Sequence, residues 1–182
     1  MSKYDIIYDF WFSKFKNPLK WLYGCSKYDD IVKDNLTEYY NKISLSDEGL
    51  KECLINVILL DQVSRHLFRG TFKAFDKDTI SRKITIKNIK MLNNYNFEES
   101  IYFLMPLAHS EIISDKDKLI VLFEKMKESF PDKISKIERF ILIIKERKKV
   151  LELFNRYPKR NNILNRKTNK LEQEYLQNNG KY

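Results

Sequence analysis

With 182 residues, 43% of them hydrophobic, the chain is long enough to bury a core and too apolar to stay disordered. Four glycines and four prolines are too few for a turn-rich β fold, and no stretch approaches the ~20 apolar residues that cross a membrane. The net charge of +9 admits nucleic acid or an acidic surface as partner, yet acidic residues are spread among the lysines, and Lys, Asn, Ile and Tyr are abundant as in a compositionally biased genome.

The N-terminus lacks the apolar run of a signal peptide, so the chain reads as cytoplasmic. Residues 3–15 carry Tyr4, Ile7, Tyr8, Trp11, Phe12 and Phe15 at helical spacing, with Asp9 expected in solvent. Asn17-Pro18 breaks that helix. A second helix is predicted over about 27–42, with Ile31, Val32, Leu36 and Tyr39 on one face. Ser46 is a suitable cap for a long helix that Gly70 closes. Cys25 and Cys53 form no metal or redox motif, and Cys53 reads as a small buried hydrophobe.

Asp78 is a candidate cap for a helix over 79–92, and Asn93-Asn94 marks a turn. Asn96 with Glu99 resembles a capping box for a helix that Pro106 should interrupt. Ser114 should cap a helix over 115–129 that Pro131 ends. An amphipathic helix over 132–155 leads into a basic elbow with Arg156, Arg160 and Arg166, and Thr168 is the expected cap of a last helix. That makes about eight helices with no convincing strand, and no sequence period near the ~34 residues of tetratricopeptide repeats.

The helix ending at Gly70 carries charges where apolar residues belong. At about 100° per residue, Leu50, Val57, Ile58 and Phe68 share a stripe with Leu54, and Asp61 and Arg65 lie in it with Arg69 at its edge. Asp61 and Arg65 have the spacing of an intrahelical ion pair, but one Asp does not neutralise two arginines. Glu111, Asp9 or a bound anion are the candidates for the missing negative charge. His66 should point about 120° from the stripe, which argues against a two-histidine metal site. His109-Ser110-Glu111 places an acid/base pair of types in a partly buried setting, although a lone histidine is more often structural. The elbow arginines either hydrogen-bond helix-end carbonyls or close over an anionic ligand. No Gly-rich phosphate loop or nucleophile elbow is present in the sequence.

Several of these blocks resemble a known family. Asp9-Phe-Trp-Phe12, Ile58-Leu-Leu-Asp-Gln62 with Arg65, Phe68-Arg-Gly-Thr71, Ala74-Phe75 with Asp78, Leu104-Met-Pro106 with His109-Ser-Glu111, Phe154-Asn-Arg-Tyr-Pro158-Lys-Arg-Asn161 and Leu164-Asn-Arg166 are similar to the hallmark segments of the domain of unknown function 924, in the same order. The resemblance implies an all-α, tetratricopeptide-like superhelix and brings no established activity. The chain departs from the family pattern in having Val63-Ser64 for Phe-Pro, His66 for Asn, Asn155 for Gly, Lys159 for His and Arg147 near an upstream His. If the family's chemistry used those histidines, this chain lacks them.

The expectation is a single all-α domain over residues 1–176, about eight antiparallel helices in a tetratricopeptide-like array, with a polar tail at 177–182. Its expected function is a pocket for a phosphate- or carboxylate-bearing anion, lined by Asp61, Arg65, Arg69, Arg156, Arg160 and Asn161. His109 and Glu111 are the acid/base candidates, and no metal or cofactor is implied. The alternative is a helical interaction module for a protein or RNA partner, with no membrane role.

Overall fold

The computed structural model describes residues 1–22, 26–43 and 49–178, and every regular element among them is helical. The expected Ser46 cap and Cys25 lie outside the described residues. The chain divides into two compact units, Met1–Pro106 and Leu107–Tyr182.

In the first unit, α1 (Lys3–Ser13) starts at a capping box in which Ser2 and Asp5 satisfy each other's backbone N–H. Asp9 is exposed, as expected. A 3₁₀ turn at Pro18–Leu22 then brings Trp21 onto Trp11, with ring centroids 5.0 Å apart, and the Trp21 indole donates to the Trp11 carbonyl at 2.8 Å. Both tryptophans are buried. The second helix, α2 (Ser26–Asn41), buries Val32 and Leu36.

At the centre runs one continuous helical rod. It comprises α3 (Leu50–Val57), a π-helical stretch Ile58–Val63, and α4 (Ser64–Leu67). The α1 and α2 helices and α5 (Asp78–Lys87) all pack against it. Every residue from Cys53 to Ser64 is buried, so this is a core helix and not the one-sided amphipathic helix that its stripe suggested. The wide π turn also changes the angular register, because each residue advances less than in an α-helix. His66, expected to point away from the stripe, is buried as well, against Trp11 and Trp21. Gly70 sits at φ +80°, a left-handed conformation that glycine adopts without strain, and the rod ends there as predicted.

Asp78 begins α5 without capping it, since its carboxylate is drawn to Arg65. The helix stops at Lys87 and continues as a 3₁₀ segment, Ile89–Asn94, which absorbs the turn expected at Asn93-Asn94. Asn96 and Glu99 form the predicted capping box at 2.7 and 3.0 Å, opening α6 (Phe97–His109). Pro106 does not interrupt α6. Residues 100–108 are all buried, and packing on every side outweighs the one backbone hydrogen bond that proline forfeits. The division between the units falls inside this helix.

In the second unit, α7 (Ile113–Ser129) starts two residues earlier than Ser114 would allow as a cap. Instead, the Ser110 hydroxyl accepts the Ile112 N–H at 3.1 Å. After the turn at Pro131–Lys133 comes α8 (Ile134–Phe154). Lys127 meets Glu138, Phe123 stacks on Phe140 and Lys148 meets Asp117, a sequence of contacts that makes the pair antiparallel. Asn155 ends α8 at φ 54°, in the left-handed region where the family pattern has glycine, and Asn is the side chain that tolerates it best after glycine. The elbow passes through a 3₁₀ turn at Pro158–Arg160 and reaches α9 (Lys170–Asn178). Asn169, not Thr168, caps α9: its side chain accepts the Glu172 N–H, and Glu172 accepts the Asn169 N–H, both at 2.9 Å. Gln177 and Asn178 of the expected tail belong to α9, and the rest lies outside the described residues.

Candidate functional sites

The arginines of the central rod find their counter-ions inside their own unit. Asp61, fully buried in the π stretch, accepts a hydrogen bond from Gln62 at 2.5 Å and lies 3.3 Å from the Arg65 guanidinium. Arg65 also donates to the Asp61 and Ala74 carbonyls and reaches Asp78 at 2.9 Å, with its charge 5.6 Å over the Phe75 ring. Arg69 clamps Asp29 of α2 through two N–H groups at 2.5 and 2.7 Å. His66 meets the same carboxylate at 2.8 Å, edge-on to Trp11 and Trp21.

Burial alone would raise the Asp29 pKa, but hydrogen bonds from Arg69 and His66 outweigh it and hold the carboxyl below its ordinary range. His66 is held below its ordinary value chiefly by burial, against the pull of Asp29. Asp78 and Asp29 thus supply charge that the sequence reading sought from Glu111, Asp9 or a ligand. Asp78 had been read only as a cap, and nothing in the spacing of Asp29 links it to a helix 40 residues away.

The second unit has a different character. The last carbonyls of α6 and the residue after it are covered by cations. Lys116 of α7, fully buried, donates to the carbonyls of Leu107, Ala108 and Ser110 at 2.5, 3.1 and 2.6 Å. Arg147 of α8 donates to the Ala108 carbonyl at 3.2 Å, and Arg160 of the elbow to the His109 carbonyl at 2.9 Å. Cations at a helix C-terminus offset the negative end of its dipole.

Glu111 accepts two hydrogen bonds from Arg166, at 3.1 and 2.8 Å, and the backbone N–H of Tyr157 at 2.8 Å. Arg156 makes a matching two-point pair with buried Glu172 at 2.6 and 2.8 Å. That pair holds the Glu172 carboxyl down at about 2. Asn161, also buried, receives the Arg166 N–H on its carbonyl at 2.7 Å and lies 3.4 Å from the Thr168 hydroxyl.

Tyr157 sits between these groups. Arg160 lies 5.0 Å and Lys116 5.9 Å from its ring centroid. Its hydroxyl is buried and has no hydrogen-bond partner. Burial pushes its pKa up to about 12, while the nearby Arg147 and Arg160 pull it down.

The structure therefore brings His109, Glu111, Arg156, Arg160 and Asn161 into one unit around the elbow, and joins Asp61, Arg65 and Arg69 through acids of the other. Sequence reasoning missed Lys116, Arg147 and Tyr157 as members of the cluster. Lys116 had a readable signal, a lysine in register with Leu119, Phe123 and Met126 on the buried face of α7. Charge is also unevenly divided: residues 107–182 hold 18 Lys and Arg against 11 Asp and Glu, and residues 1–106 hold 16 against 14.

Among the described residues, no group of three or more His, Cys, Asp or Glu could hold a metal ion, and no helix is long and apolar enough to cross a membrane. A family model described as "Bacterial protein of unknown function (DUF924)" matches residues 7–180. The fold is similar to that of a protein of unknown function, ATU0120 from Agrobacterium tumefaciens, with a TM-score of 0.79 and 24% identity over 95% of this chain and 96% of that one. No curated protein matches the chain.

Proposed function

From the premise that the chain belongs to the DUF924 family, whose description names no activity, we propose that residues 107–182 bind a small anionic ligand at the cationic collar around the end of α6. The observation that carries the reading is the buried Tyr157 hydroxyl, unpartnered beside Arg147 and Arg160. A buried donor without an acceptor costs about 1–3 kcal/mol, and an anionic oxygen would remove that cost.

In this reading Arg147, Arg160 and Tyr157 contact the ligand and half-buried His109 stands beside them as the acid/base candidate. Glu111, held by Arg166 and the Tyr157 N–H, fixes the elbow in place. Arg156 and Asn161 brace the elbow against α9 through Glu172. Asp61, Arg65 and Arg69 are assigned to holding the first unit together, because each arginine already faces a carboxylate there.

Thermal unfolding of wild type and Arg160→Gln in rising concentrations of inorganic phosphate and of succinate tests the proposal. Wild type should gain stability with at least one of them, and the variant should gain much less, because a ligand that binds only the folded state raises its stability by mass action. No gain in wild type with either anion would overturn it.

The excess of cations in residues 107–182 favours a second reading, an RNA-binding surface. Filter binding of bulk RNA at two salt concentrations separates the two, since only the RNA reading calls for retention that falls steeply with salt.

A further inference from the structure

We propose that α8 pairs antiparallel with α8 of a second copy of this chain, through a seam formed by Leu142, Glu146, Lys149 and Leu153. The proposal is independent of the anion-binding reading.

α8 carries apolar residues on two sides. Its inner side buries Ile137, Ile141, Ile144, Val150 and Leu151. At about 100° per residue, Leu142 and Leu153 lie on the opposite side, within about 20° of each other. They are 60% and 70% exposed, and they are two of the three leucines more than half exposed among the described residues. Val121 of α7, also exposed, flanks the seam, since it lies one turn from Asp117, which reaches Lys148 of α8. A single exposed leucine needs no explanation. The pattern between these two does.

Glu146 follows Leu142 by four residues, Lys149 follows by three more, and Leu153 by four more. That spacing is the stripe by which one helix meets another in a coiled coil. The stripe is also symmetric about its midpoint, between Arg147 and Lys148. A two-fold axis there sets Leu142 against Leu153 of the second copy and Glu146 against its Lys149, and each contact occurs twice. Glu146 and Lys149 already pair within the helix at 2.7 Å, and the axis closes the two pairs into a ring of four alternating charges. Opposite charges then meet at the centre of the seam and apolar side chains at both ends. A parallel pairing would set glutamate on glutamate and lysine on lysine, so charge selects the antiparallel partner. One layer further out, Arg139 would face Arg156, which is committed to Glu172, and the seam ends at the leucines. At about 17 Å long it is a small interface, and the dimer is a weak one.

Sedimentation of the full chain from about 10 μM to about 1 mM tests the proposal. The wild-type mass should move from 22.0 kDa toward twice that value as concentration rises. Leu153→Asp should weaken association by about tenfold or more, because it puts a carboxylate into the apolar end of the seam. Glu146→Lys and Lys149→Glu should each stay monomeric, since either homodimer would gather four like charges. An equimolar mixture of those two variants should associate again, because every charge then faces its opposite. All three positions lie on the solvent side of α8, so each variant should keep the wild-type helix content by circular dichroism. A wild type that stays monomeric at about 1 mM overturns the proposal. Dimerisation that Leu153→Asp leaves intact puts the contact on another face and overturns it too. A mixture that stays monomeric while wild type dimerises overturns the antiparallel pairing.

Discussion

The two units solve opposite electrostatic problems with similar materials. In residues 1–106 the arginines of the central rod end on carboxylates, Arg65 on Asp61 and Asp78 and Arg69 on Asp29, and formal charge nearly balances. In residues 107–182 Lys116, Arg147 and Arg160 each donate to backbone carbonyls, and a carbonyl satisfies a donor without neutralising its charge. Hydrogen-bond satisfaction and charge neutralisation are therefore separate conditions. The first unit nearly balances its formal charge, whereas the second carries seven more Lys and Arg than Asp and Glu.

The strongest way to break this contrast is to remove a carboxylate from the first unit. Asp61→Ala should cost about 3 kcal/mol, read as a lower urea midpoint, because it takes away one buried half of an ion pair. A loss under about 1 kcal/mol would mean that Asp78 alone suffices for Arg65.

A pH titration sharpens the comparison within the second unit. Glu172 is held at about 2, below its ordinary 4.5, chiefly by Arg156. A carboxyl depressed on folding contributes stability above its unfolded value and loses it as pH falls through the folded one. The melting-temperature gap between wild type and Glu172→Gln should therefore be full above pH 4.5 and close as pH falls toward 2. A gap that stays constant over that range would show that the pair adds packing and not charge.

The smallest effect is expected where charge is in surplus. Arg160→Gln, without added anion, should lie within about 1 kcal/mol of wild type, the order of magnitude of the hydrogen bond to the His109 carbonyl that it gives up. The same variant should lose the stabilisation by phosphate. A large destabilisation without anion would show that Arg160 is paired as tightly as Arg65.

Much of the fold was legible in the sequence because helical periodicity and caps are local. The all-α class, the Asn96–Glu99 box and the Gly70 stop follow from residues within a turn of one another. Where a local rule met dense packing, packing won: Pro106 lies inside a continuous helix, and the rod around Asp61 widens to a π turn. The rod's stripe marked Asp61 for the core, and because the rod is buried on every side His66, off the stripe, is buried too.

The candidate site was legible only in part. The residue types around His109-Ser110-Glu111 and the elbow marked a polar region, and family resemblance grouped them. Their partners were not readable, because Glu111 meets Arg166 across 55 residues, Arg160 meets the His109 carbonyl across 51, and Arg147 meets Ala108 across 39. By itself the sequence determined helix content, the excess of positive charge and the presence of charged groups on buried faces, all properties of residues and their near neighbours. Only the tertiary structure decided which charges cancel. An ion pair depends on a few ångströms of separation, and pairs such as Arg69 with Asp29 are brought within that distance only when distant helices pack together.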